Sequence, residues 1–231
     1  MTRRLLPTAA LVALTAGLAG CGGGDGDQGA RAAGGSASAA SGYTAAQLEQ
    51  ALLADAAGFR RAGEPDSGEY GTLKAVQSFA HLQREVKIDK SRCAGANPAG
   101  SPPGDAPAAL VSFSGGAGGS ATETLMAMPD ADAAAQVRTR VPAGCARFRT
   151  LVGGQWAQHE VVERPGGAIG SGSRTVGVVT TSGGAHTKTW YVVARAPRLL
   201  ATVSLYGPNA TREDAERLAR AALDQAARIL G

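Results

Sequence analysis

The chain has 231 residues, of which 44% are hydrophobic and only 4% aromatic, and a formal charge of +4 at neutral pH. The charges are scattered, and ten aromatic residues spread over this length build no stacking platform, so nucleic acid is excluded as a partner class. The length allows one or two domains, and the first segment reduces what is left to fold. Arg3 and Arg4 precede an apolar run from Leu5 to Leu18 that ends in the small residues Ala19 and Gly20. A basic start, a short apolar stretch and a small-residue close make residues 1–20 an export signal. The run is too short and alanine-rich for a membrane span of ~20 residues. Loss of the two arginines leaves the mature chain near +2.

At the close of that run stands Leu18-Ala19-Gly20-Cys21. This stretch resembles the lipobox of bacterial lipoproteins. The resemblance implies that the Cys21 thiol carries diacylglycerol, that cleavage falls between Gly20 and Cys21, and that the new N-terminus is acylated, for example with palmitate. Two or more acyl chains in one leaflet give stable anchoring, which makes the plasma membrane a partner. The alternative is an ordinary secretory signal with an incidental cysteine. With Cys21 assigned to lipid, the three cysteines reduce to the pair Cys93 and Cys145. In an exported chain these are expected to bridge each other, at a chain-entropy gain of about 4 kcal/mol. A metal site is the sharper alternative, but there is no CxxC and no histidine at ligand spacing from either cysteine. No metal and no cofactor are expected.

Residues 21–42 are almost entirely Gly, Ala and Ser with a few charges. Such a segment cannot bury enough apolar surface to offset its ordering entropy and reads as a tether, with a reach on the order of 25 Å. The folded part is expected over residues 43–231. Thr44 and Gln47 form a capping box for a helix carrying Ala45, Leu48, Leu52 and Leu53. From Phe59 to Gly71 the pattern breaks. Tyr70 to Lys90 reads two ways: Val76, Phe79, Leu82 and Val86 fit a helix, while Val86-Lys87-Ile88 fits a strand. After a loop from Cys93 to Pro107, strands are expected at Leu110–Phe113 and Thr122–Met128, separated by GGAGG. A helix opening at Pro129-Asp130 places Ala133, Val137 and Val141 on one face and ends at Pro142. Strand-like runs follow at Glu160–Glu163, Thr175–Thr181, Thr187–Ala196 and Leu199–Leu205, joined by turn chemistry into an antiparallel meander. The last helix starts at the N-cap Thr211 and carries an apolar stripe from Ala215 to Ile229. Helices around such a run give a single α+β domain with a covered antiparallel sheet.

Catalytic chemistry has no evident carrier in this chain. His81, His159 and His186 lack metal-ligand spacing, and His159-Glu160 has no second histidine four residues on. PGGAIGSGSR, Pro165 to Arg174, misses the G-x-S-x-G spacing and the phosphate-loop pattern, and reads as a loop able to rim a pocket. Asp130 and Asp132 are explained by the dipole at a helix start. Trp190 and Tyr191 are neighbours on a strand and so face opposite sides of the sheet. A ligand cleft is expected near Trp156, Trp190, Gly170 and Arg174, with no catalytic residue; core packing is the alternative for Trp156 and the favoured role for Trp190.

Four stretches occur in order: SRCAGA at Ser91–Ala96, DADAAAQVRTRVPAGCARFR at Asp130–Arg149, IGSGSR at Ile169–Arg174, and VVARAPRLLATVSLYG ahead of the final helix. Together they resemble the PknH-type extracellular sensor domain of actinobacterial receptor Ser/Thr kinases and the free lipoproteins that share its fold. The resemblance spans roughly residues 43–230. It implies an α+β domain with a curved antiparallel sheet, helices packed on it and a cleft for a small ligand. The chain departs from that kinase domain in forming one disulfide instead of two and in lacking the kinase and its transmembrane helix. The expectation is therefore a monomeric, membrane-anchored, extracytoplasmic lipoprotein with a non-enzymatic ligand-binding or sensor-like domain. Alternatives are a structural or protein-interaction lipoprotein of the cell envelope and a lipid carrier, the latter disfavoured by the modest apolar content.

Overall fold

The computed structural model describes residues 42–94, 97–164 and 168–231. The export signal, the lipobox Cys21, the tether up to residue 41 and the PGG stretch at 165–167 lie outside the described residues. The described residues form four α-helices and ten strands: α1 (Ala45–Ala51), β1 (Phe59–Arg61), β2 (Asp66–Glu69), α2 (Lys74–Glu85), β3 (Lys87–Ile88), β4 (Pro107–Gly115), β5 (Ser120–Ala127), α3 (Asp130–Arg138), β6 (Arg147–Val152), β7 (Gln155–Arg164), β8 (Gly172–Ser182), β9 (Ala185–Ala196), β10 (Leu199–Gly207) and α4 (Arg212–Leu230).

All strands belong to one antiparallel sheet of order β1-β4-β5-β10-β9-β8-β7-β6-β3, with β2 also paired to β4. The consecutive run β6 to β10 is a meander. Two of its hairpins turn on glycine pairs, Gly153-Gly154 and Gly183-Gly184, each with φ of 55° and 84°. Positive φ at both central residues is what a two-residue turn matched to strand twist requires.

The sheet's two faces are unequally covered. Alternation along β9 sends Trp190, Val192 and Ala194 to the face under α1 and α4, where the large core lies around Leu48, Phe113, Leu125, Val203 and Leu223. Helix α4 is fixed there by its cap, with the Asp214 N–H donating to Thr211 Oγ1, and by buried Glu216, which accepts from the Thr175 hydroxyl at 3.0 Å. The other face holds a smaller core of Leu73, Leu110, Met126, Met128, Val193 and Leu200, closed by α3 through Ala133. That core seats on β4, β5, β10 and β9. Over β6 to β8 on the same face, helix α2 stands instead and buries none of its residues.

Cys93 and Cys145 form the expected disulfide, with Cα atoms 5.6 Å apart. The ambiguous segment from Tyr70 to Lys90 resolves into both readings in succession, helix α2 and then the two-residue strand β3, which pairs with β6. The middle helix stops at Arg138, short of Pro142, because Thr139 already has the extended ψ of 139°. Pro142 disfavours helical backbone at Val141, and the Val141 N–H donates instead to Glu163 Oε2 at 3.4 Å. Strand β6 carries no apolar run. Arg147 and Arg149 alternate with Phe148 and Thr150, so only one face of it is built for burial.

Candidate functional site

Because α2 does not pack down on β6 to β8, a cleft of about 810 Å³ remains between helix and sheet. This lies in the ~300–1,000 Å³ range of small-molecule sites. Its floor is one face of four strands: Phe148 and Thr150, His159 and Val161, Arg174, Val178 and Thr180, Thr189 and Tyr191. On each strand these residues are two or four apart, as a single face of a pleated strand demands. One wall is α2, through Phe79, Gln83 and Arg84; the other is the chain from Thr139 to Pro142 with Asn97, Pro98 and Ser101. The disulfide also lines the cleft and ties the segment after β3 to the residue pair preceding β6.

One end of the floor is polar and neutral. His159 Nε2 lies 2.7 Å from Thr150 Oγ1 and its Nδ1 lies 3.0 Å from Thr180 Oγ1, so each ring nitrogen has one hydroxyl partner. Phe148 stacks on the imidazole with centroids 4.8 Å apart. Burial pushes the imidazole below the usual histidine range and keeps it uncharged. Among the described residues no carboxylate backs this set to stabilise the imidazolium that general-base catalysis would create. The centre of the floor is apolar and includes Tyr191, whose phenol is raised by burial and stays protonated.

The opposite end is cationic. Arg174 is among the largest fully buried side chains, 2% exposed. Its Nη2 donates to the Pro98 carbonyl at 2.9 Å and its Nη1 lies 3.8 Å from Glu163 Oε1. Arg140 Nη1 approaches the same carboxylate oxygen at 3.9 Å. Burial pulls the Arg174 guanidinium down from its usual range, opposed by the Glu163 charge, and the group remains a cation.

Of the four residues expected at a cleft, Arg174 lines this one. The other three lie on the sheet's opposite face or beyond it, for reasons of strand alternation and close packing. Trp156 is three residues from His159 and so points outward, 46% exposed with the Arg149 guanidinium 5.0 Å from its ring. Trp190 lies on the α4 side, donating from Nε1 to the Ala210 carbonyl at 3.2 Å and covering Gly177, where a Cβ would sit 2.7 Å from the ring. Gly170, at φ 58°, approaches Arg195 and Leu223 so closely that a Cβ would meet the Arg195 carbonyl oxygen at 2.3 Å. The residues that sequence reasoning missed are Phe148, Thr150, His159, Val161 and Tyr191. Their signal was the period-2 spacing itself, hidden because β6 did not read as a strand.

A second cavity of about 500 Å³ lies between α4 and the segment from Leu53 to Phe59. Of its charged groups, Asp214 accepts from the Thr211 hydroxyl and pairs with Arg217, which leaves Asp55. The larger cleft is the better site.

The fold is similar to that of the extracellular domain of PknH from Mycobacterium tuberculosis, with a TM-score of 0.54, 14% identity, and coverage of 81% of this chain and 98% of that one. The two share an architecture. An Rv0999 ortholog from Mycobacterium smegmatis aligns at a TM-score of 0.47 and 18% identity, over 79% of this chain and 94% of that one. No family model and no curated protein matches the sequence. Among the described residues no helix is long and apolar enough to cross a membrane.

Proposed function

We propose that the chain is a lipid-anchored, extracytoplasmic and non-enzymatic ligand-binding domain of the sensor type, acting as a monomer. The observation that carries this reading is the half-covered sheet face: a complete core lies on one side, and a lined cleft with a fully buried arginine lies on the other. Likeness in fold to an extracellular domain supports the compartment. So do the Cys93–Cys145 bridge and the leader that ends in Leu-Ala-Gly-Cys. The two hydroxyl partners of His159, with no carboxylate behind it among the described residues, support binding over catalysis.

A second reading, a protein-interaction lipoprotein of the envelope, is favoured by exposed apolar side chains on α2, where Phe79 is 51% and Leu82 60% exposed. Native mass spectrometry of the full chain, gently extracted from membranes, separates the two. A small co-purifying mass supports binding, and a clean apoprotein that captures a protein partner supports interaction. Intact mass at the N-terminus tests the anchor directly. A mature chain starting at an unmodified residue other than Cys21 refutes it.

A further inference from the structure

The charge of the cleft is one-sided. The described residues as a whole mix acids and bases closely, yet the lining of this cleft includes Arg84, Arg140 and Arg174 and no aspartate or glutamate. The nearest carboxylate, Glu163, stands behind Arg174 and is shared at 3.8 and 3.9 Å by two guanidinium groups. One negative charge between two positive ones leaves a net cation at this end of the floor. Neither contact is a close bidentate pair, of the kind that would use the guanidinium fork fully. Among the described residues Arg174 Nε and Glu163 Oε1 are buried without a hydrogen-bond partner. Both atoms are closed to solvent, so a headgroup in the cleft meets the part of the guanidinium that lines it.

The remainder of the floor leads away from that cation along β8. Arg174 and Thr180 are six residues apart on one strand face, about 20 Å. Between them Val178, Val161 and Tyr191 make an apolar stretch that ends at the neutral Thr150–His159–Thr180 set. An inorganic anion would leave most of this length unfilled, and a neutral lipid would leave the arginine unpaired.

We infer that the cleft takes an elongated organic anion: one carboxylate or phosphate headgroup bound at Arg174 and Arg140, and an apolar body lying along Val161, Val178 and Tyr191. This deepens the reading of the chain as a ligand-binding domain and rests on it. Arg174 supplies hydrogen bonds from the buried fork, Arg140 supplies charge at the mouth, and Glu163 bridges the two guanidinium groups.

The test is calorimetric titration of the full chain in non-ionic detergent, against micelle blanks, with four probes that share one body: 4-phenylbutyrate, 4-phenylbutyl phosphate, 4-phenylbutanol and 4-phenylbutylamine. The two anions should bind at least tenfold tighter than the alcohol and the amine, and the stronger of the two identifies the headgroup. Arg174→Gln should weaken anion binding at least tenfold and Arg140→Gln several-fold, with the alcohol unaffected. Arg140 is exposed, so its variant folds even if the buried substitution does not. Anion binding unchanged by Arg140→Gln and Arg174→Gln overturns the assignment. Equal binding of all four probes also overturns it, while leaving a binding domain in place. Binding of none, together with a clean apoprotein from membranes, overturns both the ligand class and the binding role.

Discussion

Glu123 on β5 is fully buried in the large core under α1 and α4. Its Oε2 accepts the Leu53 N–H at 2.9 Å where the chain leaves α1, and its Oε1 has no hydrogen-bond partner among the described residues. Desolvation outweighs that single bond and the charge of Arg61, so the carboxyl is raised from 4.5 to about 7. The unfolded chain ionises this group near 4.5 and the folded chain only near 7, so in between the folded state holds the extra proton. Stability is therefore greatest below the unfolded value and falls as pH rises to about 7, by about 3 kcal/mol at 1.36 kcal/mol per unit. Glu123→Gln keeps an oxygen for the Leu53 N–H and removes the ionisation. The variant should match the parent near pH 4.5 and exceed it by about 3 kcal/mol at pH 8, or roughly 6–12 °C in melting temperature for a domain of this size. Urea unfolding followed by circular dichroism from pH 4.5 to 8 measures both. Parallel pH profiles for the two proteins, or a less stable Gln variant at pH 8, would refute the reasoning.

Three further outcomes are expected. Replacing Cys93 and Cys145 with serine should cost about 4 kcal/mol, the entropy of a loop closed over a separation of 52 residues, read as a lower urea midpoint. Gly177→Ala drives a methyl against the Trp190 ring, 2.7 Å from the position its Cβ must take; overpacking of this kind costs roughly 1–3 kcal/mol, and a tryptophan emission spectrum identical to the parent would count against it. Because burial lowers the His159 imidazole below 6.5, its ring proton shifts should titrate below that value. The same sign makes its neutral form favour folding above pH 6.5 and lose that contribution as pH falls. A midpoint at or above 6.5 in an NMR titration removes the basis for a neutral floor.

Elements with strong local signals were legible in the sequence. The capping box at Thr44 and Gln47 is present with both of its bonds, and α4 begins at the Thr211 cap. The meander followed from apolar strands and glycine turns, and the disulfide from counting cysteines. Arg174 apart, the lining of the cleft was not legible, because the cleft is made by what fails to pack. Nothing local distinguishes an apolar stripe that docks from one that stands off, and the segment holding α2 read two ways, as helix or as strand. Strand β6 hid for a related reason: its arginines at 147 and 149 mask the alternation of Phe148 and Thr150. Trp156 and Trp190 drew attention as the only tryptophans, yet size alone does not say which sheet face a side chain meets.

Helix α2 is held chiefly by its ends. The Asp66 carboxylate accepts the Lys74 N–H at 2.6 Å at one end, and β3 pairs with β6 beyond the other. Between these pins no residue is fully buried, so the folding free energy of the rest of the domain passes around this span. Filling of the cleft as proposed would then be visible from outside as protection of the α2 amides.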